Sequence, residues 1–219
     1  MPSQTGRVRV DIASDVVCPW CAIGYYQLAA ASRKTGIEID VHWHPFELNP
    51  MMGEDGENLR EHLAAKYGTT PEGSQRARAR LTALGAELGF AFDYADDMRM
   101  FNTFRAHQLI DWAETQGRAH ETKLALLEAF FTHRRDVSSI DELVQIAGSV
   151  GLDENEARRV LESEERARAV REKQAYWIDR GIQGVPTMVF GGRKAATGAQ
   201  GVDAYSAALR EAASASTQT

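Results

Sequence analysis

Cysteine is nearly absent: Cys18 and Cys21 are the only two in 219 residues. A disulfide framework is therefore excluded, and there is no second cysteine pair to complete a thiolate zinc site. Excess positive charge is lacking as well. Lys and Arg number 25 against 31 Asp and Glu, a formal charge of −6, which argues against a nucleic-acid partner. No apolar run approaches the roughly 20 residues of a membrane span. The stretch Met1 to Arg7 enters the first strand without an apolar signal region, so the expectation is a cytoplasmic chain with no membrane partner. From about residue 57 to 181 the alternation that marks strands also disappears.

What remains of the cysteine is concentrated in one place. The run Asp15-Val16-Val17-Cys18-Pro19-Trp20-Cys21 follows an alternating segment, Val8, Val10 and Ile12, that reads as a strand. It precedes an apolar, alanine-rich run, Ala22 to Ala31, that reads as a helix. Cys18 thus falls where a strand feeds a helix, with Pro19 at the first helical position, where a missing N–H is harmless. The open amides and dipole of a first turn favour negative charge. Thiols so placed in redox proteins ionise at about 3.5–7.5, and thiolate is the attacking species. Cys18 is accordingly expected to attack. Cys21, one turn on, is expected to resolve the mixed disulfide. In a reducing cytoplasm such a lone pair reads as redox-active rather than structural.

Along the chain, residues 7–13 read as a strand, 19–35 as a helix stopped by Gly36, and 37–43 as a second strand. The order suggests a βαβ unit with parallel strands. Helices are expected at 58–67, 74–88, 101–116, 120–132, 139–148, 153–162 and 164–180, with a Ser139/Glu142 capping box and an acidic cap at Asp153. The charges of the run Glu162 to Arg171 read as solvated surface. Strand character returns at 187–190, Gly191-Gly192 signals a hairpin, 193–197 pairs back, 203–211 is a closing helix, and 212–219 reads as a frayed tail. Residues 1–56 and 182–219 therefore form one discontinuous α/β domain, and 57–181 a helical subdomain inserted into it.

With these features assembled, the chain resembles the DsbA-like thioredoxin-fold oxidoreductases. Cys18-Pro19-Trp20-Cys21 after the first strand, the helical insertion, and Gly184-Val185-Pro186-Thr187 before the third strand carry the likeness. Asn102-Thr103-Phe104-Arg105-Ala106-His107 and Thr197-Gly198-Ala199-Gln200 resemble the FrnE-like branch. The resemblance implies a thioredoxin fold and thiol–disulfide exchange through Cys18 and Cys21. It also implies a cis Pro186 facing the pair, with the Val185 backbone free to align a substrate chain. No cofactor is implied beyond the redox pair itself; glutathione or a thioredoxin-type protein is a candidate co-substrate, and the partner is a thiol- or disulfide-bearing protein or small molecule. Trp20 departs from strongly oxidising relatives, which carry a histidine there, so a less acidic Cys18 and a less oxidising disulfide are expected.

Pro19, Trp20, Asn102 and His107 are candidate substrate contacts, His107 also a proton shuttle on a helix roofing the groove. Glu47 is a candidate acceptor for the Cys21 proton. His42 and His44 share a strand face and read as packing or surface. Two alternatives compete. Kappa-class glutathione transferases and hydroxychromene carboxylate isomerases share the inserted fold but use serine at the first cysteine position. A non-catalytic chaperone-like or metal-binding module is the other.

Overall fold

The computed structural model describes residues 7–53 and 55–216. Val8, Val10 and Ile12 build β1 (Val8–Ser14), which is buried on both faces from Val10 onward. A strand covered on both sides belongs inside a sheet, and β1 lies within one of order β2-β1-β5-β6. β2 (Ile39–Pro45) runs parallel to it, with Ile12 opposite Trp43. β5 (Thr187–Phe190) runs antiparallel on its other side, with Ala13 opposite Thr187. β6 (Lys194–Thr197) returns on β5 through Gly191 and Gly192. Both turn glycines have positive φ; with Arg193 they make a three-residue loop, Phe190 pairing with Lys194.

Between β1 and β2 runs α1 (Pro19–Thr35), ended by Gly36 at φ 69°. The last helix, α9 (Val202–Ser216), packs on α1 and on strands β1 and β5. The intervening chain folds into α2 (Leu59–Tyr67), α3 (Pro71–Leu88), α4 (Phe104–Thr115), α5 (Ala119–Phe131), α6 (Ile140–Ser149), α7 (Glu154–Ser163) and α8 (Ala167–Ile178). Asn58, Thr70, Ser139 and Asp153 cap four of these with side-chain oxygens that accept backbone N–H bonds. Of the inserted helices, α5 and α8 reach the sheet, both along β2. The fold is thus the expected α/β thioredoxin arrangement, βαβ then ββα, interrupted by helices.

Four expectations change in detail. β3 (Glu57–Asn58) and β4 (Arg99–Met100) form a small antiparallel ladder, too short to show alternation in sequence. Phe101 to Thr103 stand outside α4, because the Asn102 side chain bonds the Phe104 amide at 2.9 Å and starts the helix there. α9 continues to Ser216, since alanine favours helix; Thr217 to Thr219 of the expected frayed tail lie outside the described residues. The run Glu162 to Arg171 is not all solvated. Arg166 sits 2.6 Å from buried Asp111, and Arg171 pairs with buried Glu47.

Candidate active site

Cys18 occupies the N-cap of α1, with extended backbone (φ −94°, ψ 112°) and Pro19 following as the first helical residue. Its carbonyl accepts the Cys21 amide at 3.0 Å, which starts the first turn and stacks the second cysteine beneath the first. Both are free thiols and both are buried, Cys18 at 4% and Cys21 at 1% exposure. Trp20 projects outward between them, and the Arg80 guanidinium lies 5.7 Å from its ring centre.

The Val185–Pro186 peptide is cis, and the Cys18 thiol donates to the Val185 carbonyl at 3.8 Å. Several contacts hold this loop. Gly198 N–H donates to the Pro186 carbonyl at 2.7 Å. Thr187 Oγ1 donates to the Gly184 carbonyl and meets Thr197 Oγ1 at 3.0 Å. The Tyr205 hydroxyl of α9 donates to the Gly198 carbonyl at 2.8 Å. Thr197-Gly198-Ala199-Gln200 is therefore the brace of the proline loop. On the facing side, a side chain at Gly24 would put its Cβ 3.0 Å from Pro186 Cγ, so glycine lets α1 approach the proline.

Below the cysteines lies a buried polar cluster. Asp15 is fully enclosed, and its carboxylate accepts the Val16 and Leu48 amides, each at 2.8 Å. His107 Nε2 stands 3.2 Å from its Oδ1. Burial alone would raise the Asp15 carboxyl; the hydrogen bond and charge of His107, the Leu48 amide and the Lys123 ammonium outweigh it and hold the group below its ordinary range. Lys123, from α5, is 1% exposed with its ammonium 5.4 Å from the Trp43 ring centre. Burial pushes it down to about 8, against the attraction of Cys21 and Asp15.

The two thiols ionise as a pair. Burial opposes a charge on Cys21. The Cys18 thiol, Lys123, the Ser14 hydroxyl and the Asp15 amide overcome that and bring Cys21 below its ordinary value. Cys18, bonded to Cys21 and then penalised by burial, is held well above its own. The two sulfurs thus hold their first negative charge in common, and the Lys123 ammonium is the cation that favours it. The helix terminus was visible in the sequence; the lysine beneath Cys21 was not.

The remaining expected residues are scattered. Pro19, Trp20, Val185 and Pro186 surround Cys18. His107 is under the cysteines against Asp15, buried at 3%, rather than over the groove. Asn102 donates to the Met52 carbonyl at 3.0 Å and lines a separate recess with Phe104, Ser138 and Arg171. Glu47 is engaged by Arg171, and the carboxylate whose charge reaches the cysteine pair is that of Asp15. His42 pairs with Asp40 and His44 with Asp11. Asp15 and Lys123 escaped the sequence reading. Lys123 carried one signal: it sits in register with Leu126, Leu127 and Phe130, all buried, on the inner stripe of α5.

The model of the DSBA-like thioredoxin domain matches residues 9–210. The chain belongs to that family. A probable DsbA oxidoreductase from Streptomyces coelicolor is 31% identical and superposes with a TM-score of 0.87, covering 94% of this chain and 90% of its own. The cytosolic disulfide reductase DsbM of Pseudomonas aeruginosa, solved also with GSH, has the same fold at 18% identity and a TM-score of 0.63, over 93% of this chain and 97% of its own. A 2-hydroxychromene-2-carboxylate isomerase shares it at 15% identity and 0.68, over 96% and 99%. In the DSBA-like chain described here, no helix among the described residues is long and apolar enough to cross a membrane.

Proposed function

We propose that this DSBA-like protein is a thiol–disulfide oxidoreductase working through Cys18 and Cys21. The observation that carries the reading is the position of the Cys18 sulfur, at a helix N-cap and against the carbonyl that precedes a cis proline. Reduction of a substrate begins when the shared proton passes from Cys18 to Cys21, leaving Cys18 as thiolate. Cys18 attacks one sulfur of the substrate disulfide; that S–S bond breaks and the proton held on Cys21 passes to the departing sulfur. Cys21, now a thiolate favoured by Lys123, attacks the Cys18 sulfur, and the second substrate sulfur leaves as thiolate and takes its proton from water. Two electrons leave the dithiol, and the Cys18–Cys21 disulfide remains. Run backward, the sequence oxidises a dithiol. Pro19, Trp20 and the Val185 backbone form the surface on which a substrate chain aligns.

Residence in the cytoplasm favours the reducing direction, with glutathione or a thioredoxin-type protein restoring the dithiol. The FrnE-like branch is supported by the Asn102–His107 and Thr197–Gln200 stretches. The test is a redox titration of the pair against glutathione buffers, together with Cys21→Ser, which should accumulate a mixed disulfide on Cys18. A pair that never equilibrates with the buffer refutes the proposal. The shared fold of the isomerase supports a second reading, glutathione-dependent transfer or isomerisation; that activity would survive Cys21→Ser.

A further inference from the structure

Helices α2, α3 and α5 leave a pocket of about 140 Å³ behind the active-site loop. Val17 and Pro19, the two neighbours of Cys18, form its near wall, and Leu63, Leu81 and Phe130 make much of the rest apolar. Three polar atoms of pocket-lining residues have no hydrogen-bond partner: Ser74 Oγ, Tyr94 Oη and Arg78 Nε. Ser74 is 5% exposed. Each of these atoms carries a hydrogen, so the protein supplies this pocket with donors and with no acceptor for them, and buried polar groups rarely go without a partner.

Charge and size narrow what would fit. Arg78, on the pocket wall, shares a single carboxylate, Asp96, with Arg60, at 3.4 and 3.0 Å, so these two positive charges face one negative. A cavity of about 150 Å³ takes one benzene ring, so the space suits a ring-sized body and not a tripeptide. Tyr94 also lies within the field of the reactive sulfur. Burial and then negative charge at Cys18 hold its hydroxyl protonated, as a donor.

We propose that this pocket receives the non-reacting part of a small aromatic or aliphatic thiol, or of its disulfide, ending in a carboxylate. The carboxylate meets Arg78, Ser74 and Tyr94, and the sulfur is delivered to Cys18 past Val17 and Pro19. The proposal rests on the thiol–disulfide reading above and narrows its substrate. For the disulfide form, Cys18 thiolate displaces one molecule of the thiol, Cys21 displaces the second, and the two electrons come from the dithiol.

The probe is para-mercaptobenzoate, measured by calorimetry on Cys18→Ser protein, which cannot exchange. The expected result is saturable binding, weakened about tenfold or more by Arg78→Gln, as loss of a charge-assisted bond implies. Ser74→Ala, which removes a hydroxyl and no packing, should weaken it by a smaller factor. On the unaltered pocket, para-toluenethiol, with methyl for carboxylate, should bind about tenfold more weakly. No saturable binding, or equal affinity for the two thiols, overturns the proposal, and neither result needs a pocket variant to fold. Equilibration of the wild-type pair with dithiothreitol separates the two claims. A pair that cycles without probe binding refutes the pocket alone, and probe binding without cycling refutes the oxidoreductase reading while leaving the pocket.

Discussion

Replacing Lys123 by methionine is expected to stabilise the fold and weaken the chemistry. The fold holds this ammonium at 1% exposure and lowers its pKa from an ordinary 10.5 to about 8. At about 1.4 kcal/mol for each tenfold change, keeping it charged costs the native state about 3 kcal/mol. Methionine has similar length and no charge, so urea unfolding at neutral pH should show Lys123→Met more stable by up to about 3 kcal/mol. The pH dependence fixes the sign. Between about 8 and 10.5 the unfolded wild type binds the lysine proton that the folded state has lost, so wild-type stability rises across that window. The advantage of the mutant should shrink there and vanish near its upper end. Thiolate is affected in the opposite sense. Cys21 loses the cation that helps hold its pKa down, so the ultraviolet absorbance of the pair's thiolate should appear at least about one pH unit higher, a loss of roughly 1.4 kcal/mol. The disulfide form has no thiolate to attract the ammonium and gains most from its removal. The reduction potential should therefore fall, by about 30 mV for each 1.4 kcal/mol. A mutant that is less stable than wild type, with unchanged thiolate absorbance, would refute the reasoning and make Lys123 a packing residue.

Asp15→Asn should slow resolution of the mixed disulfide and cost about 2–4 kcal/mol, because an amide cannot accept from Val16, Leu48 and His107 as the carboxylate does. The depressed Asp15 pKa stabilises the fold above the ordinary carboxyl range, and that contribution is lost as pH falls through its native value. Wild-type stability should thus drop more steeply in acid than that of the mutant, and parallel acid limbs in urea titrations would count against the assignment. Trp20→His should lower the pH at which the pair forms thiolate and make the disulfide more oxidising, since an exposed imidazolium replaces a neutral ring; an unchanged titration would show that position 20 does not reach the sulfurs. Gly24→Val should destabilise by about 1–3 kcal/mol and depress turnover, because even a Cβ there meets Pro186 Cγ at 3.0 Å and Met188 Cε at 3.2 Å. Wild-type turnover in that mutant would mean the proline loop tolerates displacement.

The fold was largely legible because its signals are local. Alternation marked β1 and β2, strand-forming residues before a Gly-Gly turn marked β5, and glycines and side-chain caps marked the helix ends. The two-residue ladder of Glu57 and Met100 joins distant segments and left no periodic trace. Half of the site was legible for the same reason: Cys18 and Pro19 announce a helix terminus, and Val185-Pro186 an exception within a strand. The other half is assembled across the fold. Lys123 comes from an inserted helix and Asp15 from the end of β1, and their meeting near Cys21 follows from how α5 lies on β2. Arg166 and Arg171 looked like surface charge because their partners, Asp111 and Glu47, are far away in sequence. Register along a helix distinguishes a buried lysine from a solvated one only when its stripe is read with the charge included.

The brace at Gly198 and Tyr205 gives the protein a timing property. Cys18 and Cys21 leave the ribosome early, but the carbonyl of Val185, the Gly198 amide and the Tyr205 hydroxyl arrive only after more than three quarters of the chain has been made. Until then the sulfurs have no docking partner opposite them. Reactivity is assembled last, so an unfinished polypeptide carries two ordinary cysteines through the crowded surroundings of its own synthesis.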